Sequence, residues 1–217
     1  MKLSERLKVV SNGISKWYEG KVLPRAIDVV CGSAAFGRLR RDLTKDLSGT
    51  VLEVGFGSGT NAAFITEAVT TYLAVEPSIE ALRLGANKRN LPSKVLLVAG
   101  DGVALPIASR SVDYIIFSFV LCSVETPVAM VAECHRVLKT GGRLAFIEHG
   151  RSNSKGMAKV QVALDPIERV VAGNCRLSRR PYDYVGEDLW LCEDSGESYL
   201  GASSPWSFIY RARYQKR

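Results

Sequence analysis

Two rhythms of apolar spacing divide the chain. Over residues 1–48 the period is helical. Leu3, Leu7, Val10 and Ile14 recur at intervals of four, three and four, which marks one face of a helix. Pro24 breaks that pattern. A second helical run over about 24–47, interrupted near Gly32, sets Leu39 and Leu43 on one face and leaves Arg38, Arg40 and Arg41 mostly solvated. These segments have no sheet partner in sequence, so they are expected to form a helical cap over the ligand-binding edge of the core. Trp17 and Tyr18 would lie there, Tyr18 with a hydroxyl to offer a ligand.

From residue 50 the rhythm changes. Short apolar, β-prone runs near 50–54, 72–76, 94–99, 112–119 and 143–148 alternate with helical stretches near 60–70, 78–89 and 125–139. Strands separated by single helices imply right-handed crossovers and a parallel sheet covered on both faces. The KTGG segment at 139–142 supplies a glycine helix stop, with Lys139 in the last turn. A further helix is expected near 155–173. Two extended segments near 188–193 and 206–214 follow, and the polar interval Asp194–Glu197 suits an antiparallel return. The expected fold is therefore α/β: one seven-stranded Rossmann-like sheet, mostly parallel with its last strand antiparallel. The division along the chain is a cap (1–48), a core (49–150) and a C-terminal helix with two strands (151–217).

Composition narrows the class. A chain of 217 residues, 47% hydrophobic and 24% charged, suits one soluble α/β domain with a proper core. No apolar run reaches the ~18 residues of a membrane span, and the charged start MKLSERLKVV does not read as a secretory signal. A cytoplasmic location is expected. Five cysteines without a C-x-x-C pair fit neither a disulfide framework nor a zinc site, and suit a reducing compartment. No metal is expected. The net charge of +7 resides in the flanks, +5 over residues 1–50 and +3 over 151–217, against −1 over 51–150. Such flanks could make weak contact with an anionic membrane surface.

The candidate chemistry gathers on one stretch, TVLEVGFGSGTNAAF at 50–64. An apolar strand breaks at Gly55, Gly57 and Gly59 and resumes as a helix with Thr60 or Asn61 at its start. Glycines let the chain turn sharply and let a ligand approach closer than a Cβ would allow. Glu53 stands just ahead of this loop. Glu76, followed by Pro77, ends the next strand, about where a ribose-binding carboxylate is expected. In such a sheet ligands lie beyond the carboxyl ends of the strands. The strand-end residues therefore matter most: Glu53, Glu76, Asp101 with Gly102, Ser118 to Cys122 including Phe119, and Glu148 with His149. Two carboxylates beside a glycine loop describe an adenosine pocket, with Glu76 for ribose hydroxyls and Asp101 for an exocyclic amine.

With these residues in view, the chain resembles the class I S-adenosyl-L-methionine-dependent methyltransferases. The resemblance runs through VLEVGFGSG, AVEPS, AGDGVALPIASRSVDYIIFSFVLCSV and ECHRVLKTGGRLAFIEHG, roughly residues 48–150. It implies S-adenosyl-L-methionine as cofactor, with Gly55, Gly57 and Gly59 at its methionine part, Glu76 at the ribose, and Asp101 with Gly102 at the adenine. Within that superfamily the LVLCSV-like and IEHG-like segments, the Asp165–Pro166 pair and GNCRLSRR (173–180) resemble the methyltransferase-like thiol S-methyltransferases. The membrane-anchoring N-terminal segment of that subgroup's animal members has no counterpart here. The implied reaction is direct in-line transfer to a small-molecule acceptor, a thiol first, with a quinol or phospholipid headgroup as the alternative. His149 is the candidate base on the acceptor side, whereas His135, in mid-helix, reads as structural. Cys122 is a candidate pocket residue. The ending SFVLCS lacks the signature of amino-group DNA methyltransferases, and nucleic acid is not an expected partner. A nicotinamide cofactor is disfavoured by the G-x-G-x-G spacing. A non-catalytic sensor of adenosyl ligands is the competing class.

Overall fold

The structure is a computed structural model that describes residues 17–88 and 91–217. The face set by Leu3, Leu7, Val10 and Ile14 lies outside the described residues. Seven strands form one sheet: β1 (Gly49–Val54), β2 (Val69–Glu76), β3 (Val95–Ala99), β4 (Val112–Ser118), β5 (Leu138–His149), β6 (Trp190–Tyr199) and β7 (Phe208–Lys216). Their spatial order is β3-β2-β1-β4-β5-β7-β6. Pairings from β3 through β5 are parallel, and β7 runs antiparallel to both β5 and β6. The helices are α1 (Leu23–Cys31), α2 (Gly37–Thr44), α3 (Ile79–Ala86), α4 (Pro127–Val137) and α5 (Lys155–Val171).

Residue alternation along the strands builds two cores. Leu52, Ile115 and Phe146 point to one face, where they pack with Met130, Val131 and Cys134 of α4. Their neighbours Val51, Ile116 and Ile147 point to the other, against Tyr72 and against Leu43 and Leu47 in and just beyond α2. Full burial of such side chains contributes about 1.5–3 kcal/mol each, which is why the central strands read as continuous apolar runs.

Four expectations are corrected. The helix expected near 60–70 is a single 3-10 turn, Ala62–Phe64, because β2 begins at Val69 and the Asn61 side chain is drawn into a buried network instead of capping a helix. Pro24 does not break the cap. A π-helical turn, Tyr18–Val22, runs directly into α1, and the proline takes the second position of that helix, where its fixed φ suits helical backbone. The interval Asp194–Glu197 lies inside β6, and the return is made by residues 200–207. β6 is an edge strand, so its polar residues stay solvated without ending it. Finally, α4 stops at Val137, and Lys139 reaches Asp113 at 2.6 Å from a bulge at the start of β5.

The parallel order reverses between β1 and β4, and the loops after β1, β2, β3 and β4 open at that point. Segment 17–31 lies across it, with Leu23, Pro24, Ile27 and Cys31 facing the opening. Among the described residues no helix is long and apolar enough to cross a membrane.

Candidate active site

The loop after β1 is shaped by its glycines. Gly55, Gly57 and Gly59 all have positive φ (74°, 56° and 77°), a conformation costly for any residue with a Cβ. A Cβ on Gly55 would stand 2.4 Å from Val120 Cγ2, and one on Gly59 would meet the Phe56 ring. A Cβ on Gly57 would meet no protein atom within 4 Å, because it would enter a cavity. That cavity, about 350 Å³, is lined by Gly55, Gly57, Glu76, Pro77, Asp101 and Gly102, and closed by apolar side chains including Ile27, Phe119, Val120 and Met130.

Glu76 closes the glycine loop onto β2. Its Oε2 accepts from Gly57 N at 2.8 Å and its Oε1 from Ser78 N at 2.9 Å. Burial raises its pKa, and these two backbone donors oppose the rise. Asp101 is exposed at the cavity rim and accepts from Val103 N at 3.1 Å. Gly102 brings the backbone against Val54 and Met130 more closely than a Cβ would permit.

The structure moves several expected site residues off the cavity wall. Glu53 lies on the sheet face shared by Val51 and Tyr72, where strand alternation puts it, and is fully buried. It accepts from Asn61 Nδ2 at 2.6 Å and from Tyr72 Oη at 2.7 Å. Gly59 shapes the turn without lining the cavity. Tyr18 faces away, donating to Val171 O at 2.6 Å. His149 does not line the cavity either: its ring is tilted 41° against Phe119, with centroids 4.5 Å apart, and Phe119 forms the wall. Cys122 is buried behind the wall with Cys175 and Leu177. His135 is structural, edge-on to Trp190.

Arg40 reverses its expectation. It is 3% exposed and lines the cavity floor. Nη1 donates to Asn61 Oδ1 at 2.6 Å and Ser118 Oγ at 3.2 Å, and Nη2 donates to Cys31 O at 2.9 Å. The sequence signal was present: Arg40 is in phase with Leu43, Thr44 and Leu47, all buried, at spacings of three, four and seven.

Burial pushes the Glu53 carboxyl up to about 7, against the pull of Tyr72, Asn61 and Arg40. A carboxyl whose folded pKa exceeds its unfolded value costs stability once pH rises above the unfolded value. Glu53→Gln should therefore gain on the wild type between pH 5 and pH 8, by up to about 3 kcal/mol. Urea denaturation of both proteins across that range tests this, and parallel pH profiles would refute it.

The turn after β4 is held from below by Glu148, which is fully buried and accepts from Val120 N (2.6 Å), Leu121 N (3.0 Å) and Cys122 N (3.2 Å). Burial raises its carboxyl to about 7 despite these donors. Phe119, at the start of this turn, is a non-glycine residue with φ 61°. Beside the turn, Cys175 Sγ lies 4.0 Å from His149 Nδ1. The hydrogen bond from the Cys122 thiol holds the Cys175 thiol below its ordinary range, aided by His149, whereas Cys122 is pushed up.

Residues 52–146 match the family model described as a methyltransferase domain. Thiol S-methyltransferase TMT1B of Rattus norvegicus is 32% identical over 147 residues, 64% of this chain and 60% of that protein. The chain thus spans less than two thirds of that relative's length. Demethylmenaquinone methyltransferase of Beutenbergia cavernae is 30% identical over 167 residues, 72% of this chain and 67% of that protein. Among solved structures, N-methyltransferase NodS from Bradyrhizobium japonicum, in complex with S-adenosyl-L-homocysteine, superposes with a TM-score of 0.60 at 15% identity. It covers 84% of this chain and 85% of NodS, and the likeness is one of fold.

Proposed function

Because the chain belongs to the class I S-adenosylmethionine-dependent methyltransferase family, we propose that it transfers a methyl group from that donor to a small-molecule thiol. The observation that carries this reading is the distribution of ionisable groups on the cavity wall. Among the described residues they are Cys31, Arg40, Glu76 and Asp101.

The wall fits the donor. Open space above Gly57 admits a ligand against the backbone, and Glu76 keeps lone pairs for ribose hydroxyls beyond its two backbone bonds. Asp101 stands at the rim for the adenine amine, beside Gly102. Arg40 supplies positive charge for the donor's carboxylate. When bound, the donor supplies a methyl carbon already made electrophilic by its sulfonium. The chain's own task is to hold the acceptor in line and exclude water, and such positioning can be worth about 7–11 kcal/mol.

With Glu76 and Asp101 given to the donor, the described residues of the wall hold no carboxylate or imidazole to take a proton from the acceptor. His149 stands behind Phe119. An acceptor that ionises by itself suits this site, and a thiol, with a reference pKa of about 8.5, does so near neutrality. The rat relative's name points the same way. A quinol is the second reading, favoured by the apolar part of the wall and by the relative from Beutenbergia cavernae.

The test is transfer of labelled methyl to alkyl and aryl thiols, quinols, phenols and phosphatidylethanolamine, with donor binding measured in the same preparation. Label on thiols is expected, with a pH profile that follows each thiol's own ionisation. Label confined to quinol, phenol or lipid would overturn the thiol reading and keep the transferase. Donor binding without label on any acceptor would favour a non-catalytic sensor.

A further inference from the structure

Behind the cavity wall three potential ligand atoms converge: Cys122 Sγ, Cys175 Sγ and one ring nitrogen of His149, all within 4.8 Å of one another. We propose that they form a binding site for a thiophilic divalent cation, zinc foremost. Zinc–sulfur and zinc–nitrogen bonds of about 2.3 and 2.0 Å place neighbouring tetrahedral ligands roughly 3.5–3.8 Å apart. The 4.0 Å between Cys175 Sγ and His149 Nδ1 is already close to that spacing. The ligands are also the right kind, since two thiolates and an imidazole select zinc or copper(I) over magnesium, calcium or manganese.

The surroundings fix the ligands and keep the site dry. Cys122 and Cys175 are 1% and 6% exposed and pack with Leu177, while His149, half-buried, marks the side of entry. Cys122 is held at both backbone groups: its N–H donates to Glu148, and its carbonyl accepts from Arg176 N at 2.8 Å. His149 is braced against Phe119. The three ligands come from the turn after β4, the end of β5 and the segment after α5, so a bound ion would tie together parts of the chain distant in sequence. Both cysteines would bind as thiolates, and their two charges would balance the ion's. Three protein ligands leave a fourth position, the pattern of zinc sites that accept an outside ligand. The cluster lies next to the cavity: Phe119, whose ring packs on His149, and Ser123, whose Oγ lies 3.5 Å from Cys122 Sγ, both belong to the wall.

The intact protein, equilibrated against buffered zinc and then gel-filtered, is expected to carry about one zinc per chain. His149→Gln and Cys175→Ser should each weaken binding by more than the ~10–100-fold that changes beyond the ligands themselves cost. Cys192→Ser, at an exposed cysteine on β6, should bind as the wild type does. Circular dichroism of each variant reports folding. A measurement on the wild type alone guards against variants that misfold: cobalt(II) should give a thiolate charge-transfer band, and zinc should shield Cys122 and Cys175 from alkylation. The proposal is overturned by zinc absent from the wild type, by zinc retained equally in both ligand variants, or by bound cobalt without the thiolate band.

Discussion

Gly57→Ala should weaken binding of the methyl donor by about 10–100-fold, the equivalent of an overpacking cost of ~1–3 kcal/mol. It should take only about 1–2 kcal/mol from stability, the cost of a side chain at positive φ. The split follows from where the new atom goes: it meets no protein within 4 Å and projects into the space a ligand would fill. Gly55→Ala supplies the contrast. Its Cβ would stand 2.4 Å from Val120 Cγ2, so the damage should fall on stability at least as heavily as on affinity. Calorimetric titration with S-adenosylmethionine, paired with urea denaturation of the free proteins, separates the two quantities. Unchanged affinity in Gly57→Ala would remove the donor from this cavity.

The glycine loop was legible in the sequence because its constraint is local. A strand that breaks at alternating glycines can do little else, and Glu76 and Asp101 sit at strand ends that the alternation of elements locates. Glu53 was misplaced by one step of the same logic. It neighbours the loop in sequence, yet strand alternation sends it under the sheet to Tyr72 and Asn61. His149 ends β5 on the expected side but is screened from the cavity by Phe119, and no periodicity reports which of two neighbouring side chains forms a wall. The thiol cluster was out of reach for a different reason. Zinc motifs are read from close pairs such as C-x-x-C, whereas Cys122, His149 and Cys175 are joined only by the order of strands and the fold of the chain after α5. The Asp194–Glu197 interval shows the converse error: polarity signals a turn in a central strand but is ordinary along an edge.

Arg40→Met should cost about 3–5 kcal/mol at pH 8, the range seen when one partner of a buried charge network is removed. Methionine fills much of the volume, so the loss is mainly polar. Asn61 Oδ1 and the Cys31 carbonyl lose their donor, and the fully buried Glu53 loses the field of its nearby cation. The sign of the pH dependence separates these contributions. Arg40 holds the Glu53 pKa down, so without it the carboxyl ionises at higher pH still. Below about pH 5 Glu53 is neutral in both proteins and only the hydrogen bonds are missing. As pH rises through about 7, the wild type ionises Glu53 with Arg40 beside it and the variant cannot, so the gap widens. Adding Glu53→Gln to Arg40→Met should remove that widening and recover part of the stability at pH 8, a coupling that a double-mutant cycle reads directly. Additive effects at pH 8, or a cost independent of pH, would mean that Arg40 serves only as a packing residue with hydrogen bonds. Loss of donor affinity in the doubly substituted protein, with stability recovered, would then isolate the guanidinium's part in holding the donor's carboxylate from its part in neutralising Glu53.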